Sequence, residues 1–178
     1  MKDITRRFLS GYGPATDRDL AHWWQGGGVS IGWKWIATLG DELAPVDIEG
    51  IHAGMLVGDV RAIQKLKPVR SVCLVPGFDQ YIVAASHHAG NLMPAGLRGR
   101  VYRQRGWISP VLLVNGFMQG TWRHAVQNKS KRNQVEVVIE PFAKIPAWVR
   151  SAAKGEAERL ATFLHCELSR VKFDSSRL

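Results

Sequence analysis

The dipeptide Asn115-Gly116, set between the apolar runs at 107–114 and 117–123, is the strongest single constraint on this chain. Asn-Gly populates the two left-handed positions of a tight type I′ turn, and that turn folds two flanking apolar runs into an antiparallel hairpin. The second half of the chain is therefore expected to be built on strands. A β-branched apolar run at 71–75 and an alternating run at 134–139 supply further strands. Pro146 then opens a helix running to about residue 168, with Val149, Ala153, Ala157, Leu160, Leu164 and Leu168 as its apolar stripe. The tail 172–178 is expected to fray.

The first half reads as helices. Ile4, Phe8 and Leu9 share one helical face, and Gly11-Tyr12-Gly13-Pro14 stops that helix. Thr16 with Asp19 has the spacing of a capping box, with an acid one methylene shorter than usual. The helix it opens carries Leu20, Trp23 and Trp24 and ends at Gly26-Gly27-Gly28. Ser30 is expected to cap a third helix, with Trp33, Ile36 and Leu39 or Leu43 turned inward. A hairpin follows, from residues 44–49 through Gly50 to 51–57. Helix-turn-helix plus hairpin is the pattern of a winged helix; three packed helices beside an unrelated hairpin would read the same way. A short helix capped by Asp59 then leads to Pro68. The expectation is an α+β chain: a winged helix-turn-helix over residues 1–70, then a small antiparallel β region closed by a C-terminal helix over residues 71–178.

Charge is strongly segregated. The 178 residues carry a net charge of +9. Residues 80–135 hold eight basic residues and no Asp or Glu, and so account for +8 of that total. Residues 1–79 balance nine basic against nine acidic groups. Such a block points to a polyanion, most simply nucleic acid, the alternative being a basic surface that only confers solubility. Within it, Arg98, Arg100, Arg103 and Arg105 are interleaved with Tyr102 and Trp107. Arginines so spaced along a strand can track phosphates, and the rings can stack on bases. Arg123, His124, Lys129, Lys131 and Arg132 form a second basic cluster after the hairpin. Two basic loops at one end of a sheet would make a cradle.

Other chemistry is sparse. His87-His88 lacks further ligands at a metal-binding spacing, so no metal and no cofactor is expected. The pair can touch phosphates or be merely exposed. Asp79 is the last acid before the basic block. It suits a turn cap or an arginine anchor, and it is the one weak catalytic candidate. No Ser/His/Asp triad, phosphate loop or dinucleotide fingerprint occurs. Cys73 and Cys166 fit no metal spacing and read as buried, reduced thiols. No apolar stretch reaches the roughly 18 residues of a membrane helix, and the N-terminus lacks a signal-peptide core. A cytoplasmic protein is expected.

Several motifs together resemble a known family. Arg7-Phe8-Leu9, Tyr12-Gly13-Pro14-Ala15-Thr16, Asp19-Leu20 and Trp23-Trp24 are similar to the middle region of bacterial winged-helix DNA-binding domain proteins. Leu74-Val75-Pro76-Gly77-Phe78-Asp79-Gln80-Tyr81 resembles that family's Leu-x-Pro-x-Phe-Asp-x-Tyr signature. The run 110–116 with Gly120-Thr121-Trp122-Arg123 resembles its late hairpin signature, and the likeness extends from about Arg6 to Leu164. The family includes the AlkZ-type DNA glycosylases, which remove alkylated bases and unhook interstrand crosslinks. The resemblance implies tandem winged helices around a basic concave surface. Full members are about twice as long and carry a catalytic Gln-x-Gln or Gln-x-Asp motif in the N-terminal half. None of the glutamines at 25, 64, 80, 104, 119, 127 and 134 has Gln or Asp two residues on. The resemblance thus implies the C-terminal half of a bacterial, nucleoid-associated protein that binds double-stranded DNA. The alternatives are an active glycosylase and a module that completes a partner, by pairing with a missing N-terminal half or by self-association.

Overall fold

The computed structural model describes residues 1–24, 28–85, 89–128 and 132–176. It divides into two compact units, Met1–Pro68 and Val69–Leu178. The architecture is α+β.

In the first unit α1 spans Lys2–Tyr12 and buries Thr5, Phe8 and Leu9. The Thr16/Asp19 box forms ahead of α2 (Asp17–Trp24). The Asp19 carboxylate accepts from the Thr16 amide and hydroxyl, both at 2.7 Å, and the Asp19 amide donates to Thr16 Oγ1 at 3.3 Å. This satisfies donors that a helix start otherwise leaves open. Helix α3 is Val29–Ala37. A Cβ on Gly32 would lie 2.1 Å from the Asp17 carbonyl oxygen, so only glycine lets α2 and α3 approach this closely.

The structure departs from three local expectations. Ser30 lies inside α3, and Gly28 holds the cap position in an extended conformation. Trp33 is 65% exposed, because the buried side of this short helix runs through Gly32 toward Leu39. Asp59 sits in the first turn of α4 (Val57–Ile63), whose cap position is Leu56. Strands β1 (Leu43–Ile48) and β2 (Ile51–Leu56) pair as an antiparallel hairpin. The segment before α2 joins it through reciprocal Ala15–Gly54 backbone bonds at 2.9 and 2.8 Å. Phe8, Leu9, Ala15, Leu20 and Leu39 form the core of this unit.

The second unit is a five-stranded sheet in sequential order: β3 (Val72–Val75), β4 (Val111–Val114), β5 (Phe117–Gln127), β6 (Gln134–Pro141) and β7 (Glu167–Phe173). Asn115 and Gly116 turn β4 into β5 with φ of 51° and 83°. Helix α8 (Ala147–Phe163) buries Val149, Ala153, Ala157 and Ala161. It packs on Leu112, Trp122, Val137 and Ile139. Three short helices, α5 (Gln80–Ala84), α6 (Ala89–Leu92) and α7 (Arg98–Val101), belong to the loops before β4. Ile82, Met93 and Val101 from these loops pack on Val111 and Met118, forming the unit's other core cluster. Each fully buried side chain of this size contributes about 1.5–3 kcal/mol.

The sheet is not wholly antiparallel, and the chain does not close on a helix. Strand β7 runs parallel to β6, because α8 serves as the crossover that a parallel pair requires. The helix stops at Phe163. His165 takes φ of 54°, and the Cys166 amide reaches back to the Ala161 carbonyl at 2.9 Å. That is the geometry of a Schellman stop. Leu168 therefore belongs to β7, and Leu164 lies just past the helix. Lys172 and Phe173 are paired in the sheet, and the Asp174 amide donates to the Ile139 carbonyl at 2.8 Å, so the expected fraying does not begin at 172. The regular strand expected from Trp107 starts only at Val111, since Pro110 has no amide to contribute. Cys73 is exposed on the edge strand β3 and Cys166 is half-buried, rather than both being buried. Among the described residues no helix is long and apolar enough to cross a membrane.

Candidate nucleic-acid interface

The first basic cluster lies on α7 and the tight loop after it, not on a strand. Tyr102 and Ile108 form an isolated antiparallel bridge, and the Arg103 amide donates to the Trp107 carbonyl at 2.8 Å. The reversal is made by Arg105 and Gly106, with φ of 60° and 73°. Arg105 thus holds a left-handed conformation that costs a non-glycine residue about 1 kcal/mol or more. Arg103 and Arg105 project from this reversal, both exposed. Neither forms an ion pair with an acidic group among the described residues.

The other two arginines of the cluster are engaged. The Arg98 guanidinium lies over the Tyr102 ring, 4.5 Å from its centroid. Arg100 is turned inward: its side chain is 19% exposed, lies 4.8 Å from the Phe142 centroid, and places Nη2 3.7 Å from Glu140 Oε2. That Nη2 is buried without a hydrogen-bond partner. Arg100 is therefore part of the packing rather than an exposed phosphate contact. Sequence spacing could not reveal this, because Arg100 on α7 and Glu140 on β6 lie 40 positions apart.

The second cluster is also partly neutralised. Arg123 pairs with the same Glu140, and Arg132 Nη1 lies 3.1 Å from Glu167 Oε1. Both arginines remain more than half exposed. His124 is exposed, its ring 5.8 Å from that of Trp122. Lys129 and Lys131, and the pair His87-His88, lie outside the described residues.

Two basic residues escaped the sequence reading. Arg123 pairs with Val138, which pairs with Lys172; Glu136 pairs with Arg170. Arg123, Arg170 and Lys172 therefore share the sheet face opposite the one that Val137 and Ile139 turn toward α8. The polar–apolar alternation in Arg170-Val171-Lys172-Phe173 was the available signal, and extending the helix to 168 concealed it.

Asp79 takes the structural role. Its Oδ1 accepts from the Tyr81 amide at 2.9 Å and caps α5. The Tyr81 hydroxyl donates to the Gly116 carbonyl at 3.1 Å, and burial raises its pKa. The Tyr102 hydroxyl donates to the Ile82 carbonyl at 2.8 Å; burial pushes its pKa up to about 12, against the opposing pull of Arg98. Both tyrosines are thus neutral, anchored rings. Beside Tyr102 an open depression of about 590 Å³ is lined by Gly99, Tyr102, Arg103, Gln104 and Trp107. These groups offer anion contacts, amide hydrogen bonds and stacking faces. No group of three or more His, Cys, Asp or Glu residues suited to a metal ion occurs among the described residues.

A curated relative, the interstrand DNA cross-link repair glycosylase of Streptomyces sahachiroi, is 30% identical over 160 residues, which is 89% of this chain and 41% of the relative. The solved structure of the Streptomyces sahachiroi DNA glycosylase AlkZ superposes with a TM-score of 0.83 at 27% identity, covering 97% of this chain and 45% of that one. The chain spans less than half the length of either. With residues 1–163 matched by the model of the family described as DNA glycosylase AlkZ-like, the chain belongs to that family.

Proposed function

We propose that this chain binds double-stranded DNA in the repair of alkylated or crosslinked bases, and that by itself it does not excise them. The observation that carries this reading is the pair Arg103 and Arg105, exposed on a constrained reversal inside a 56-residue stretch without a single acid. Guanidinium groups with no carboxylate partner among the described residues are free to exchange their counterions for phosphates. Arg98, Arg123, His124, Arg132, Arg170 and Lys172 add a broader basic surface, while Lys129 and Lys131 extend it in sequence. Residues 1–68 are read as a winged helix, with α2 and α3 as its helix pair and β1–β2 as its wing. This is the reading of three helices followed by a hairpin that also receives a bridge from Ala15.

The non-enzymatic part rests on residue chemistry. The Gln-x-Gln or Gln-x-Asp pair implied by the family resemblance has no counterpart in this sequence. Asp79, the remaining carboxylate candidate, is committed to the α5 cap. Binding without a group that acts on the transition state does not lower the chemical barrier.

The test is equilibrium binding to duplex DNA across a salt series, alongside base release from an N7-alkylguanine duplex. Contact with about five phosphates gives a slope of log K against log salt of about −4 to −5, and Arg103→Ala with Arg105→Ala shallows it by about 1.8. A flat salt response overturns the DNA reading. Base release above background that is lost in Asp79→Asn, with binding intact, overturns the non-enzymatic part.

A further inference from the structure

The depression beside Trp107 has features that phosphate binding does not require. The Trp107 ring is 53% exposed and Phe78 is 47% exposed, with centroids 5.3 Å apart at 82°, edge to face. Phe78 sits at φ 59° and Arg105 at φ 60°, so the two loops whose aromatic rings meet here each contain a left-handed non-glycine residue. Such conformations persist where the surroundings over-determine them, and they concentrate at binding sites. Trp107 is held by its edge-to-face ring contact with Phe78 and through its own carbonyl by the Arg103 amide. Tyr102 is anchored through its hydroxyl and covered on one face by Arg98. The half-exposed indole lines the depression beside Arg103 and Gln104.

We infer that this depression receives one unpaired nucleotide of a DNA strand: the base against Trp107, its edge read by Gln104, its phosphate held by Arg103. The inference rests on the DNA-binding reading above and adds a ligand state to it. A paired base keeps both faces in the helical stack and its Watson–Crick edge occupied, so it presents nothing for an indole and an amide to use. An unpaired base presents a face and an edge together. The side-chain amide carries both a donor and an acceptor, which matches a free base edge. The depression is open and, at about 590 Å³, leaves room for sugar and phosphate beside the base.

Binding of the full chain to two duplexes, one fully paired and one carrying a single extrahelical nucleotide, tests this. The wild type is expected to bind the second about tenfold more tightly, within the range for one base stacked on an aromatic ring. Trp107→Ala removes that preference and leaves affinity for the paired duplex within twofold. Trp107→Phe keeps most of the preference, and Gln104→Ala lowers it about threefold, each with the salt slope unchanged. Equal affinity of the wild type for both duplexes overturns the proposal, as does a Trp107→Ala loss that is equal on both, while the DNA-binding reading stands. Failure to bind either duplex at low salt overturns both.

Discussion

The indole Nε1 of Trp122 donates a hydrogen bond to the Val75 carbonyl at 2.8 Å. This joins two of the sequence signatures across 47 residues: Trp122 of Gly-Thr-Trp on β5, and Val75 at the end of β3, just before Pro76-Gly77-Phe78-Asp79. Strand β4 lies between them, so the bond clasps three strands. The same Pro-Gly-Phe-Asp turn presents Phe78 to Trp107, and Tyr81 beyond it is bonded to the Asn-Gly turn. One network thus holds the hairpin and the aromatic site together.

Trp122→Phe keeps a large ring in the core but removes the donor, leaving the Val75 carbonyl without that partner. Loss of a partly buried bond of this kind costs about 1–2 kcal/mol. Urea unfolding should show a lower midpoint at unchanged slope, and an unchanged midpoint would mean the clasp carries no stability.

Arg100 and Arg103 should separate cleanly. Arg103→Ala is expected to weaken duplex binding and reduce the salt slope by about 0.9, with little effect on melting. Arg100→Met is expected to leave duplex binding within twofold, because its guanidinium is already turned onto Phe142 and Glu140. Glu140→Gln removes the carboxylate that Arg100 and Arg123 share. It should destabilise by about 2 kcal/mol, less than the 3–5 typical of a fully buried pair because Arg123 is 58% exposed. A salt-slope change in Arg100→Met equal to that in Arg103→Ala would contradict the inward placement of Arg100.

Acid should loosen the first unit through Glu42. Hydrogen bonds from Arg6 and Lys2 hold its carboxyl at about 2, below the usual carboxylate range. A carboxylate depressed by folding contributes stability above its unfolded value and loses it as pH falls toward the folded one. The contribution is therefore full above about pH 4.5 and gone near pH 2. Glu42→Gln should flatten this acid limb when unfolding of the first unit is followed by its tryptophan fluorescence. Because the group is solvent-accessible, added salt should shrink the difference. An identical acid limb in the variant would assign the loss to other carboxylates.

Local features were legible in the sequence because their causes are local. Positive φ at Asn115 and Gly116 follows from the two residue types at the turn, and the Thr16–Asp19 box needs only side chains three residues apart. The acid-free block is a property of composition, which no folding can alter. Tertiary structure decided which of its charges stay free. Arg100 and Arg123 meet Glu140, and Arg132 meets Glu167, because strand register delivers carboxylates from residues 17 to 40 positions away. Among the described residues Arg103 and Arg105 receive no such partner. The stop of α8 at Phe163 turned Leu168–Phe173 from helix into a parallel strand, and with it set Arg170 and Lys172 on the same face as Arg123. Residue types determine where a chain turns and caps, since those energies act between neighbours. Which charges cancel depends on distances between segments, and those exist only once the sheet has formed.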